Sequence, residues 1–358
     1  MTRVRTRVVI VGGGIAGVSL GAELSSDHDV VVLEAETELA RHSTGRSAAL
    51  FVADIGPAPI RELSAASLPH FAELAGREVL RRRGGLFTAW SDDEAALLDE
   101  VMAGSESVRP ATDLPPWVRR EGLRAAGFDP TVADIDVMAL HAAYLARLRR
   151  RGGLVATSAA VAELCRTSAG WSVTCRDGRS FSADVVVNAA GAWGDEVNGL
   201  AGGPTRWLTA CRRTALIAPT ALVGHADPVV GDVLGTWYLK PESGGVLVSP
   251  CDETPVAAGD VRPDDLDVAL GLERVNACTT LELRSVSTAW AGLRTFAADH
   301  VPVVGWHPGV PDLFCFLGQG GYGIQAGPAL ARAAAAGLRG VQVLRALTPG
   351  RLTELVAS

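Results

Sequence analysis

Gly12, Gly13, Gly14, Ile15, Ala16 and Gly17 carry a G-x-G-x-x-G spacing, and the next apolar run closes on an acid, Glu34. Together these residue types suit a ligand bearing a pyrophosphate and a ribose. Gly12 permits a tight turn, Gly14 lets a pyrophosphate approach the backbone, and Gly17 lets a helix pack closely on a strand. The start of that helix offers unbonded N–H groups and the positive end of its dipole to phosphate. Glu34 can accept both ribose hydroxyls, which disfavours a cofactor with a 2′-phosphate. The chemistry expected is dinucleotide binding. A glycine-rich turn with no ligand would leave the acid at the strand end unexplained.

The flanking residues supply the elements that position these groups. Val8, Val9, Ile10 and Val11 form a continuous β-branched run, as in a strand buried on both faces of a parallel sheet. Ile15, Val18, Leu20 and Leu24 give an apolar helix after the turn, residues 25–29 break it, and Val30, Val31, Val32 and Leu33 form a second buried strand. Strand, glycine turn, helix, strand and acid is the context the spacing requires.

The bulk properties fit a folded protein larger than one core usually serves. The chain has 358 residues, which predicts two domains. It is 48% hydrophobic and 20% charged, as in globular rather than disordered chains. A net charge of -7 argues against non-specific nucleic-acid binding. The six cysteines, Cys165, Cys175, Cys211, Cys251, Cys278 and Cys315, form no C-x-x-C pair and have no histidine at metal-ligand spacing, so no metal site is expected. Reduced cysteines point to a cytoplasmic protein. The basic start at residues 1–7 precedes too short an apolar run for a signal peptide, and no stretch of 18 apolar residues predicts a membrane span.

Residues 40–49 are small, polar and glycine-containing, and suit a loop laid along a long, extended cofactor. A nicotinamide enzyme usually continues directly into another strand–helix unit; an ordinary surface loop is the other reading. With the glycine fingerprint and Glu34, the run His42, Ser43, Thr44, Gly45, Arg46, Ser47 and Ala48 resembles the D-amino-acid oxidase family of FAD-dependent oxidoreductases. That family includes glycine oxidase, sarcosine oxidase and D-amino-acid dehydrogenases, and the wording is nearest the D-arginine dehydrogenase branch. The resemblance covers the chain from Val8 to about Ala335.

The resemblance implies a mixed α/β fold: a Rossmann-like FAD-binding domain interleaved with a substrate domain of antiparallel sheet plus helices. The division expected is 1–84, 136–204 and 291–358 for the first, and 85–135 and 205–290 for the second. It places Gly12, Gly14, Ile15, Ala16, Gly17, Glu34, Ala35, His42, Ser43, Thr44, Arg46, Ser47, Ala48, Val161, Ala190, Gly191, Trp193, Gly320, Gly321, Tyr322, Gly323, Ile324 and Gln325 at the cofactor, with Val161 at the adenine. His42 is a candidate covalent anchor, but relatives with this wording hold FAD without a bond, and non-covalent FAD is expected.

Local patterns fill in the rest. Helices are expected over 60–80, kinked near Pro69, and over 92–102, 136–151 and 264–277. Strands are expected over 85–90, 154–156, 161–166, 171–176, 185–187 and 313–317, with a loop over 109–116. Residues 205–254 read as antiparallel sheet over the flavin. The arginines at 147 and 149–151 suit a helix C-terminus rather than an anion site. Gly318 to Gly323 opens the last helix and is a second anion cradle; it lacks the spacing and the acid of a second dinucleotide site.

For the reaction, the resemblance implies hydride transfer from the carbon beside a neutral amine to flavin N5, with hydrolysis of the resulting imine. It carries the binding of a substrate carboxylate onto Arg213 and Arg294, whose forks suit two parallel hydrogen bonds, and onto the Tyr238 hydroxyl. No dedicated base is required, and no Ser-His-Asp or Cys-His set demands other chemistry. The chain departs from the D-arginine dehydrogenase branch at three positions. Gly85 stands where that branch has a glutamate, and Leu50 and Ile55 stand where it has a histidine and a tyrosine. A pocket without a counter-charge rejects cationic side chains. The expected substrate is a hydrophobic D-amino acid or, slightly favoured, an N-alkylated glycine that yields glyoxylate and an amine. The electron acceptor, oxygen or another carrier, and the oligomeric state stay open. The alternatives are a dehydrogenase passing electrons to a quinone or partner protein, and a non-catalytic flavin-binding subunit.

Overall fold

The computed structural model describes residues 5–75 and 79–352. Two sheets carry most of it. The first has six strands in the order Val303–Trp306, Leu313–Leu317, Val185–Asn188, Arg7–Val11, Asp29–Leu33 and Leu154–Ala156. All neighbours are parallel except the first pair.

Strand alternation explains why the run at 8–11 has no polar face. Val8 and Ile10 enter one core with helices Ile15–Leu24, Val137–Arg150 and Gly327–Leu338. Val9 and Val11 enter another, beneath a three-stranded antiparallel sheet of Val161–Thr167, Gly170–Cys175 and Ser180–Ala183. Both faces are covered, so every side chain in the strand after Arg7 is buried. Each fully buried aliphatic contributes about 1.5–3 kcal/mol relative to exposure.

The second sheet has nine strands, including Gly85–Ala89, Ala125–Asp129, Thr209–Ala218, Val229–Asp232, Tyr238–Glu242, Gly245–Ser249 and Thr288–Phe296. Thr288–Phe296, which a boundary at 291 would divide, pairs with residues 209–217 along its whole length. Its two faces differ. Leu216, Ala218, Val230, Leu239 and Val248 pack against Trp117 and Val118 and against Val275 of the helix Asp265–Cys278. The opposite face carries Arg213, Ala215, Ile217 and Tyr238 and looks toward the first sheet.

Several expectations are corrected. The segment 205–254 is not wholly antiparallel in its pairing, because Val229–Asp232 lies parallel to residues 85–88. Residues 109–116 are not all loop: Arg109–Pro110 pairs with residues 127–128. The helix expected over 60–80 spans Ala58–Ala75, with Pro69 inside it, and Leu80–Arg82 is a strand. Residues 76–78 of that expected helix, and residues 1–4 of the basic start, lie outside the described residues.

Candidate active site

The first strand, Arg7–Val11, delivers the chain to the glycine turn. Gly12 has φ +114°, and a Cβ there would stand 2.4 Å from the Ala189 carbonyl oxygen. A Cβ at Gly17 would stand 1.9 Å from the Gly12 carbonyl oxygen. Both contacts are with backbone, so neither position tolerates a side chain without moving a strand. Glu34 is fixed beside the turn: its Oε2 accepts the Gly13 N–H at 2.8 Å and its Oε1 accepts the Glu36 N–H at 2.9 Å. Thr44 is buried and its hydroxyl accepts the Ile15 N–H at 3.0 Å, which ties the 40–49 loop to the helix start.

The same loop is strapped to Thr288–Phe296. Ser43 Oγ donates to the Leu293 carbonyl at 2.7 Å, and Trp290 Nε1 donates to the Arg46 carbonyl at 3.0 Å. The Arg46 guanidinium donates to the carbonyls of Val261 and Ala291 and pairs with Asp260. It holds protein together rather than reaching toward a ligand.

A cavity of about 410 Å³ runs between the two sheets. One end has Leu33, Glu34, Ala35 and Val161; the other has Arg213, Tyr238 and Arg294. Of the residues expected at a cofactor, 12, 14–16, 34–35, 42–44, 46–48, 161, 190–191, 193, 320–321 and 323–324 lie on its wall. Gln325 and Tyr322 differ from expectation, while Gly17 keeps the packing role its spacing implied and Arg46 lines the wall without offering its head group. Gly17 serves helix–strand packing behind the wall. The Gln325 side chain is buried and bonds Val52 at both backbone atoms and the Ser64 hydroxyl, so it holds the strand Leu50–Phe51 and its neighbours instead. Tyr322 packs behind, against Gly56. The Arg46 head group, as above, is spent on protein carbonyls.

The three residues expected at a substrate carboxylate come together. Arg213 stands opposite Gly292, and Arg294 stands opposite Cys211 two residues along the same strand pair. Both therefore share the cavity face. Tyr238 reaches that face from Tyr238–Glu242 through the register Tyr238↔Ser249. Adjacent Arg212 points the other way, onto Asp252, Asp264 and Asp267. Arg213 Nη2 pairs with Glu253 Oε1 at 3.1 Å, and its Nε is buried without a partner. Arg294 makes no hydrogen bond or ion pair to a carboxylate among the described residues. Burial first, and then the like charge of Arg213, push Arg294 below the usual arginine value. A guanidinium stays protonated in proteins, so the consequence is a cation short of a counter-ion. Gly321 makes room for it: a Cβ there would meet Arg294 Cζ at 2.6 Å. Burial pushes the Tyr238 hydroxyl up to about 12 and keeps it a proton donor.

The residues expected at the substrate side chain sit beyond the cavity wall. Ile55 is 41% exposed. Leu50 packs with Phe87 and Tyr238 against Val52, Val132 and Val229. Gly85 is beside this group, but a Cβ there would stand 2.7 Å from Val132 Cγ2. The space beside Gly85 is thus filled by valine.

The residues fit FAD. The cavity is elongated, with a glycine turn and acid at one end and two arginines at the other. Three buried polar atoms on its wall lack partners: His42 Nδ1, Arg213 Nε and Gln319 Nε2. Sequence reasoning missed Glu253 and the wall residues Gln319, Ala159 and Ala160. Gln319 lay within the glycine-rich run and could have been found there; Glu253 had no local signal. His141 was also missed. It is buried, and its Nε2 lies 3.0 Å from the Gly13 carbonyl, beneath the turn. Among the described residues no cluster of His, Cys, Asp or Glu could hold a metal ion, and no helix is long and apolar enough to cross a membrane.

Comparison with known proteins agrees with this architecture. Residues 7–336 match the family described as DAO, FAD dependent oxidoreductase, and the chain belongs to it. Human mitochondrial dimethylglycine dehydrogenase is 26% identical over 89% of this chain, and the chain spans 41% of that protein's length. Glycine oxidase of Geobacillus kaustophilus is 25% identical, with 90% of each chain covered. The solved structure of a Geobacillus kaustophilus glycine oxidase superposes with a TM-score of 0.81 at 24% identity, covering 94% of this chain and 96% of the other. Iminodiacetate oxidase from Chelativorans sp. BNC1 superposes at 0.83 with 20% identity, covering 96% and 99%. These structural likenesses show the fold.

Proposed function

We propose that the chain oxidises the C–N bond of a carboxylate-bearing amine with an apolar substituent, and that an N-alkylated glycine is the favoured donor. The observation that carries this reading is Arg294, a cation on the cavity wall that no carboxylate among the described residues reaches within ion-pair distance, Glu253 acting on it only from farther off. A substrate carboxylate supplies the missing counter-charge through two hydrogen bonds to the guanidinium. The Tyr238 hydroxyl donates a third, and Arg213 adds its field. These groups fix the donor's orientation. The amine binds unprotonated, and the imine product takes up water to release glyoxylate and the freed amine.

FAD, when bound, supplies the two-electron acceptor for the hydride lost from the donor carbon. The N-terminus of the helix Ile15–Leu24 would hold its pyrophosphate, Glu34 its ribose, Val161 its adenine and the 318–324 turn its ring system.

The preference for an apolar group rests on Ala48 and Ala215, which line the cavity beside Tyr238 and bring no charge. Val132, rather than empty space, replaces whatever a side chain at Gly85 would contribute. Glycine-derived donors also appear in the names of the relatives: dimethylglycine dehydrogenase, glycine oxidase and iminodiacetate oxidase.

Anaerobic bleaching of the oxidised-flavin band tests the reading. The panel is glycine, sarcosine, N-alkyl glycines of increasing length, D-leucine and D-arginine. Bleaching by N-alkyl or apolar members, with D-arginine inert, is expected. Bleaching by D-arginine alone would overturn the apolar assignment. Peroxide release in air then separates an oxidase from a dehydrogenase that passes electrons to another carrier.

A further inference from the structure

The three arginines on these two strands are neutralised unequally. Arg212 pairs with three carboxylates and Arg213 with one, while Arg294 pairs with none among the described residues and feels Glu253 only at longer range. The single acid at Arg213 is placed by the backbone. Thr254–Pro255 pairs with Thr209–Ala218 in the register Cys211↔Pro255 and Arg212↔Thr254, which brings Glu253 opposite Arg213. Its Oε1 lies 3.1 Å from Arg213 Nη2, with side-chain exposures of 43% for Glu253 and 15% for Arg213. Cross-strand opposite charges of this kind are mutually favourable. Arg213 and Arg294 share one face of one strand pair, so the cavity end holds two cations, and the one anion built in beside them, Glu253, reaches Arg213 from outside the cavity wall.

The geometry points to Glu253 as a specificity-determining residue that restricts the site to substrates with one carboxylate. This rests on the reading of Arg294 as the carboxylate site. A monocarboxylate brings the count to two cations and two anions. A donor with a second carboxylate near its amine would have to displace Glu253 from Arg213 and accept a like charge beside it. Specificity then comes from a repulsive group as much as from an attractive one. Removing that negative charge leaves Arg213 as a second open cation whose buried Nε already lacks a partner.

The test uses unreactive ethers shaped like N-substituted glycines. Methoxyacetate carries one carboxylate and diglycolate carries two. Each is titrated into the FAD-loaded wild type, Glu253→Gln and Glu253→Ala at one pH and one ionic strength, and binding is read from the flavin spectrum. The ratio of the diglycolate Kd to the methoxyacetate Kd is expected to fall by at least about fivefold in both variants. A glutamate that only steadied Arg213 would shift both ligands together and leave the ratio unchanged, and that result overturns the inference. Two variants guard against one that folds poorly. If methoxyacetate fails to perturb the wild-type flavin at all, the carboxylate reading of Arg294 fails, and this inference fails with it.

Discussion

Replacing Gly321 by alanine separates the placement of Arg294 from the stability of the fold. A Cβ at 321 would stand 2.6 Å from Arg294 Cζ, 2.7 Å from Nη1 and 2.8 Å from Nε. Gly321 is not among the left-handed residues, so alanine meets no backbone penalty. Relief comes from the guanidinium, the far end of a flexible side chain. Restoring ordinary contact moves it by roughly 0.8 Å. Charge-assisted hydrogen bonds span about 2.7–2.9 Å, so this displacement breaks at least one of the two to a bound carboxylate. A hydrogen bond to a charged group contributes about 1.5–3 kcal/mol, which is about 10- to 150-fold in affinity. Anaerobic stopped-flow reduction against substrate concentration gives the Kd and the limiting rate separately. Gly321→Ala is expected to raise Kd within that range while Tm stays within about 2 °C and FAD stays bound. A Kd within twofold of wild type, with FAD present, would refute the placement of Arg294.

Gly17→Ala drives a Cβ into the Gly12 carbonyl, a backbone atom that cannot swing aside. It should cost about 1–3 kcal/mol or more by thermal melt and lower the FAD content, whereas an unshifted melt would show that the helix and turn have room to separate. Burial lowers the His141 pKa below its usual 6.5, so the folded state favours the neutral ring whose Nε2–H donates to the Gly13 carbonyl. The unfolded chain binds the extra proton, so stability falls as pH drops below about 6.5, by up to about 1.4 kcal/mol per unit. His141→Gln should flatten denaturant-derived stability between pH 7 and 5.5; a wild type already flat over that range would contradict the assignment. At lower pH a second loss is expected. The Asp134 and Asp299 carboxyls are held below their usual value by Arg83, Lys240 and Arg351 against the opposing effect of burial, so their contribution is present above about pH 4 and fades as they protonate.

The dinucleotide half was legible because its signals are local. Val8 to Val11 had to be buried on both faces, and the glycines and Glu34 that follow lie within one strand–helix–strand unit. Arg213, Tyr238 and Arg294 were found through resemblance, not pattern. They come from three strands whose pairing no short window reveals, and Arg212 looks equally plausible until alternation turns it onto Asp267. Gln325 misled because a glycine-rich run next to a ligand carries residues facing both ways, and this one faces Val52. Glu253 and Val132 were invisible for the same reason: each matters only for what stands across from it, Arg213 in one case and Gly85 in the other. The parallel pairing of Val229–Asp232 depends on a distant segment at 85–88, beyond the reach of any hairpin rule.

The most direct test of the central claim compares two donors that differ only in the carboxylate. An N-alkyl glycine and the matching N-methyl amine are mixed anaerobically with wild type and with Arg294→Ala, and flavin reduction is followed to give the second-order rate constant. The wild type is expected to prefer the carboxylate-bearing donor by about 100-fold or more, and Arg294→Ala, still yellow with FAD, to lose most of that preference by slowing on the acid alone. Equal preference in the two proteins would contradict the account, because the carboxylate would then be recognised somewhere other than Arg294.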